Sequence, residues 1–155
     1  MRRHRRANRQ RTHLLSFHGT SARFEYWFNY FIYADGGAGL ADALEVDIIN
    51  VGVFCPRETP PGDYDALSVV LLYPSPDSVT TGTYALGPER PPPEGNAVLD
   101  KSRGAEPSHS LLSTSGQMVL SRLTSSEAQG SVDVSLNDGT RLRGDFSARF
   151  CPLEK

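Results

Sequence analysis

The alternation of apolar and polar positions is sharpest at the end of the chain. In "GSVDVSLNDGTRLRGDFSARFC" (130–151) apolar residues recur at every second position, first at Val132, Val134 and Leu136, then at Leu142, Phe146, Ala148 and Phe150. Period two is the signature of strands with one buried face, and Asn137-Asp138-Gly139 between the two runs is a turn signal. Asn and Asp tolerate a left-handed backbone and Gly adopts it at no steric cost. A three-residue loop sets Leu136 opposite Thr140, Val134 opposite Leu142 and Val132 opposite Gly144. A two-residue loop would set Val134 opposite Arg143 and mix the faces, since a slip of one residue turns every side chain over. The three-residue loop is therefore expected, with Gly139 in the bulge position. Asp133 opposite Arg143 then adds an exposed cross-strand pair worth about 0.2–1 kcal/mol.

Elsewhere the same reading gives short strands between strong turn signals. "RFEYWFNYFIY" (23–33) is a strand crowded with aromatics, and "GLADALEV" (39–46) could form a short helical turn after it. "VDIINVGVFC" (46–55) is rich in β-branched residues, and "ALSVVLLY" (66–73) is apolar on both faces and so central in its sheet. "TYAL" (83–86), "AVLD" (97–100) and "GQMVLSRL" (116–123) complete the set. "GPERPPPEGN" (87–96) is a surface loop, because successive prolines remove donors and fix φ; "KSRGAEPSHS" (101–110) also reads as loop. The expectation is an all-β fold, an antiparallel sandwich or barrel of about seven to nine short strands. Residues 16–155 form its single domain, behind a basic, disordered tail at 1–15 that a wrongly chosen start codon would also explain.

Composition adds little except at that tail. The chain has 155 residues, enough for one domain with a substantial core. Six of the 16 basic residues lie in the first 13 positions, which leaves 10 basic residues against 18 acidic, a body near −8. An arginine cluster could neutralise phosphates, but this one has no aromatic for base stacking and precedes an acidic body. Nucleic acid is not expected as a partner. No apolar run approaches the roughly 20 residues of a membrane helix, and "LLSFHG" is too short to serve as the core of an export signal.

The two cysteines, Cys55 and Cys151, each end a strand and each precede a proline. Without a CxxC their spacing suits neither a redox motif nor zinc. They are either separate buried thiols or a disulfide that clamps the last strand to an early one, and the clamp is the expectation carried forward. A disulfide places the protein outside the cytoplasm.

Candidate chemistry is sparse. No nucleophile elbow, phosphate loop, zinc helix motif or calcium loop occurs. His4, His13, His18 and His109 lack ligand partners at metal spacing and read as exposed, with His109 a site candidate only for want of competitors. Asp63 and Asp65 could chelate calcium but suit a solvated turn as well. Neither catalysis nor a cofactor or metal is expected. Trp27, Phe31 and Tyr33 would share one face of the aromatic strand and could line a cavity for a small apolar or sugar-like ligand, though aromatics also fill ordinary cores.

"VDIINVGVFCP", "GTYALG", "SGQMVLSRL", "GSVDVSL" and "DGTRLRGDFSARFC", in this order and spacing, resemble a loose group of small secreted proteins and lipoproteins of the myxobacterial type. The resemblance covers residues from about 46 to 151 and implies an antiparallel β-domain exported by a signal peptide or lipobox; it assigns no site residues. Together these readings give a non-enzymatic β-domain of the cell envelope or secreted space with a structural or interaction role. A small-ligand carrier with an aromatic-lined cavity is the alternative.

Overall fold

Eight strands, joined in one hydrogen-bonded sheet, make up the computed structural model of the protein. It describes residues 21–34, 37–50, 62–73, 79–88, 95–104 and 106–151. The strands are β1 (Ser21–Ala34), β2 (Gly37–Ile49), β3 (Tyr64–Tyr73), β4 (Gly82–Ala85), β5 (Gly95–Arg103), β6 (Glu106–Leu123), β7 (Glu127–Leu136) and β8 (Arg141–Phe150). The basic tail expected at 1–15 lies outside the described residues.

The pairing runs β6-β5-β3-β2-β1-β8-β7 and returns from β7 to β6. The sheet is therefore a curled, barrel-type wall rather than a sandwich. Every ladder is antiparallel except β1–β8, a parallel seam of three residue pairs from Ala22–Ala148 to Phe24–Phe150. Above the seam β1 and β2 continue to pair with each other, so among the described residues the wall is closed over only part of its height. β4 stands end to end with β5 along one edge of β6, pairing with 117–120 while β5 pairs with the first part of that strand. The 18-residue β6 shifts register at Thr114 and at Ser121, the bulges that let a long strand bend with a curled sheet.

The terminal hairpin has the expected register. Val134 opposes Leu142, Val132 opposes Gly144 and Asp133 opposes Arg143; the loop is closed by the Leu136 N–H donating to the Thr140 carbonyl at 2.8 Å. Gly139 has φ 86°, the left-handed conformation that the turn requires. Val132, Val134, Leu136, Leu142, Phe146 and Ala148 are buried, and Phe150 packs against the core from its edge. Gly130 completes this row because a Cβ there would collide with the Val119 carbonyl and press on the Phe146 ring. β3 sits between β2 and β5, as an all-apolar strand should. Its Leu67, Val69 and Leu71 meet Leu44, Val46 and Ile48 of β2 in the same core, with Met118 and Leu120 of β6.

Two local expectations are corrected. "GLADALEV" is strand, not a helical turn: in β2, Leu44, Val46 and Ile48 follow period two, and both β1 and β3 satisfy its backbone. "KSRGAEPSHS" is not a loop but the tight end of the β5–β6 hairpin, with Arg103 opposite Glu106 and a turn at Gly104. Gly104 has φ 59°, which lets the chain reverse with few residues. From Ala43 to Ile49 β2 is also buried on both faces, Glu45 and Asp47 included; the Ser68 hydroxyl donates to Asp47 Oδ1 at 2.6 Å.

On the outer face Asp133 keeps its expected pairing with Arg143 and gains a second, closer partner. Arg141, one register step away, donates through Nε and Nη2 to both carboxylate oxygens at 2.8 and 2.7 Å, while Arg143 Nε stays at 3.9 Å. The bidentate fork matches the planar carboxylate. Hydrogen bonding from Arg141 holds the Asp133 carboxyl below its usual range; the Thr140 N–H does the same for Asp138. A depressed carboxylate pKa stabilises the fold above the unfolded value near 3.9, and the gain is lost as pH falls through the folded value. Asp133→Asn should remove about 0.2–1 kcal/mol at pH 7 and nothing once the native carboxylate is protonated, leaving the share of Asp138 intact. Urea midpoints of the two proteins from pH 7 to pH 2.5 should converge below about pH 4; parallel curves would show that the pair does not couple to folding.

Candidate binding site

The chain leaving β4 is pulled across the junction of β5 and β6 by its own backbone. The Leu86 N–H donates to the Gly116 carbonyl at 2.9 Å and the Gly87 N–H to the Gly95 carbonyl at 3.1 Å. Gly95 and Gly116 are themselves pressed against the neighbouring strands β3 and β7. A Cβ on Gly95 would meet the Val70 carbonyl, and one on Gly116 the Asp133 carbonyl and the Val134 Cα. Ser113 then locks the crossing. Its buried hydroxyl donates to the Gly87 carbonyl at 3.0 Å and accepts the Ala97 N–H at 2.9 Å.

Between this strap and the outer face of β5–β6 lies a recess of about 360 Å³ lined by Gly87, Pro88, Asn96, Val98, Leu112 and Ser113. Leu112 is 53% exposed, the one large hydrophobic in that state among the residues whose side chains are described. It stands opposite Val98 in the ladder, so two apolar side chains and a proline ring face the recess while Asn96 offers an amide. A volume of this size with one polar handle suits a ring or a branched aliphatic group. The Ser113 hydroxyl is engaged as both donor and acceptor and supports the wall instead of reacting.

A second, more open recess of about 550 Å³ lies on the outer face of β6, β7 and β8. Its hydroxyls serve the wall itself: Ser121 donates to the Gln129 carbonyl at 3.1 Å and Ser147 to Glu127 Oε1 at 3.3 Å. Exposed Arg141, Arg143, Asp145, Ser147 and Arg149 make the outward row of β8 polar, the reverse of a lipid-facing strand. No helix among the described residues is long and apolar enough to cross a membrane.

The residues singled out in the sequence fall in separate places. Cys151 is buried and is not a free thiol; Cys55, its expected partner, lies outside the described residues. In β1 the register shifts between Trp27, opposite Ala43, and Tyr30, opposite Ala41, so Phe28 and Asn29 oppose the single residue Asp42. Phe31 and Tyr33 accordingly take the register row of Leu40 and Leu44, whereas Trp27 takes that of Ala43. The strict alternation expected along 24–33 is broken by one inserted residue. Asp65 is held by Arg103, with Nη2 at 2.8 Å from Oδ1, and donates its N–H to Asn50 Oδ1 at 2.9 Å. Asp63 is exposed, and no group of three metal-ligating side chains forms among the described residues. His109 is exposed on β6 opposite Lys101, three residues before Leu112, and does not line the recess; His4, His13 and His18 lie outside the described residues.

The recess was missed in the sequence, although a trace of it is there. In "HSLLSTSG" the pair Leu111-Leu112 breaks alternation, and where one leucine enters the core its neighbour must face out. No family model, curated protein or solved structure matches the chain.

Ser113→Ala leaves the Gly87 carbonyl and Ala97 N–H buried without their partner. It should cost about 1–3 kcal/mol in chemical denaturation, far more than an exposed serine is worth; a change within about 0.5 kcal/mol would show that the strap does not depend on it.

Proposed function

We propose that the protein is a non-enzymatic β-domain of the extracytoplasmic space that works by holding a partner, whose apolar group seats in the recess over β5 and β6. The observation that carries this reading is Leu112. A leucine kept half in solvent beside Val98 and Pro88, on a wall fixed by the buried Ser113, is a preformed apolar contact. Pre-organised contacts of this kind lose little entropy on binding. A fluorescent anilinonaphthalene dye serves as the probe. Leu112→Ser should weaken its binding about tenfold or more, the worth of one leucine contact, and leave the melting temperature unchanged. Equal affinity in both proteins would remove the recess from function.

The location rests on the cysteines and on the resemblance to small secreted β-proteins. Cys151 directly follows Phe150, the last paired residue of the parallel seam. Joined to Cys55, the only other cysteine of the chain, it would fasten the wall where its ladder is shortest. Closing a loop near 100 residues stabilises by roughly 4–5 kcal/mol in the chain-entropy model. Cys151→Ser should therefore lower the melting temperature by roughly 10–15 °C in oxidising buffer and by much less with reductant present. Equal melting points of variant and parent in oxidising buffer would eliminate the clamp, and with it the argument for an oxidising compartment.

A further inference from the structure

At one end of the wall the inner rows of four strands change character together. Ile48, Leu67, Leu99 and Leu111 stand opposite one another across β2, β3, β5 and β6, and all four are buried. Side chains two residues on fall on the same face, and there the row is Asn50, Asp65, Lys101 and His109. Asp65 donates its N–H to Asn50 Oδ1, Asp65 pairs with Lys101, and Lys101 pairs with His109. The apolar core thus ends in a polar rim, and the mouth of a barrel-type wall is a common place for a ligand. The tip of the β7–β8 hairpin reaches the same end, where the Asn137 N–H donates to the Leu112 carbonyl at 2.9 Å.

The charges of this rim are not all matched. Asp65 is held by Arg103, with Nη2 at 2.8 Å from Oδ1. Asp138 accepts the Thr140 N–H at 2.8 Å, and the Lys101 charge reaches it and helps to keep its carboxyl below the usual range. Lys101 is half-buried and His109 exposed, and neither side chain has a hydrogen bond or an ion pair among the described residues. Directly opposite residues have Cβ atoms about 4.5–5.5 Å apart, so an ammonium and an imidazole N–H can meet one small acceptor between them. We propose that Lys101 and His109 bind the phosphate group of a soluble ligand at this rim. A tetrahedral phosphate offers separate oxygens to the two donors, and lysine is a common phosphate binder. Beyond its first 13 residues the chain carries 10 basic residues against 18 acidic. An extended anionic surface such as a lipid membrane repels that body, whereas a single phosphate meets only the local cations of the rim.

The site lies on the inner row of the rim, apart from the recess beside Leu112, and does not depend on it. NMR of the histidine imidazoles in the full chain, titrated with inorganic phosphate at constant neutral pH and ionic strength, tests it directly. The arginines of the first 13 residues bind phosphate by themselves, so the readout is the His109 resonance, assigned by its loss in His109→Gln. That resonance should shift saturably, with a dissociation constant in the millimolar range. Lys101→Gln should raise the constant about tenfold or more, while the amide spectrum of the core stays in place. Acetate carries one charge instead of two and should need a concentration about tenfold higher for the same shift. A His109 resonance that phosphate leaves unmoved overturns the proposal. So does a shift that acetate reproduces at equal concentration, or one that is unchanged in Lys101→Gln.

Discussion

The parallel seam between β1 and β8 is the constraint on which the rest of the wall depends. Seven strands take part in the ring of pairings, and an odd number of strands cannot alternate direction all the way round. At least one neighbouring pair must run parallel, and here it is the pair that joins the beginning of the described chain to its end. The seam has three residue pairs, and parallel ladders are slightly weaker per residue than antiparallel ones. Closure therefore depends on other contacts near it. Ala22 and Phe150 pack against the core from the two sides of the seam, and Cys151 is buried one residue beyond.

Once the wall curls, every strand has an inside and an outside, and the inner rows become one apolar cluster. β7 and β8 show the simplest case, with valine and leucine inward and charged or hydroxyl groups outward. β2 departs from it, since Glu45 and Asp47 on its outer row are as buried as the leucines. Asp47 has the Ser68 hydroxyl on it, in keeping with the rule that a buried carboxylate is hydrogen-bonded. β6 departs differently: its bulges change which residues face the core, and its neighbour on one edge changes from β5 to β4. The recess lies at that change of neighbour, where the strap from β4 crosses.

The terminal hairpin was legible from the sequence because its information is local. Its loop, register and inner row follow from the turn residues and from period two alone, and so does the central place of β3. The half-buried Asp133 was read as a pair for Arg143, directly opposite; it keeps that ion pair at 3.9 Å, while the diagonal Arg141 makes the closer, bidentate contact. The helical turn expected after the aromatic strand had a local reason too, a short apolar run, but ladders on both sides decided for strand.

Local pattern thus determined the all-β class, the turns and the inner rows of the last strands, because alternation and turn chemistry act over a few residues. The sequence could not show that the sheet returns on itself, since β1 meets β8 across more than a hundred residues and only three pairs record it. Nor could it show the bulge that moves Trp27 to a different row from Phe31 and Tyr33, or the crossing at Gly95 and Gly116 that makes the recess. Those depend on where one strand runs out of partners and another begins, which is a property of the whole sheet.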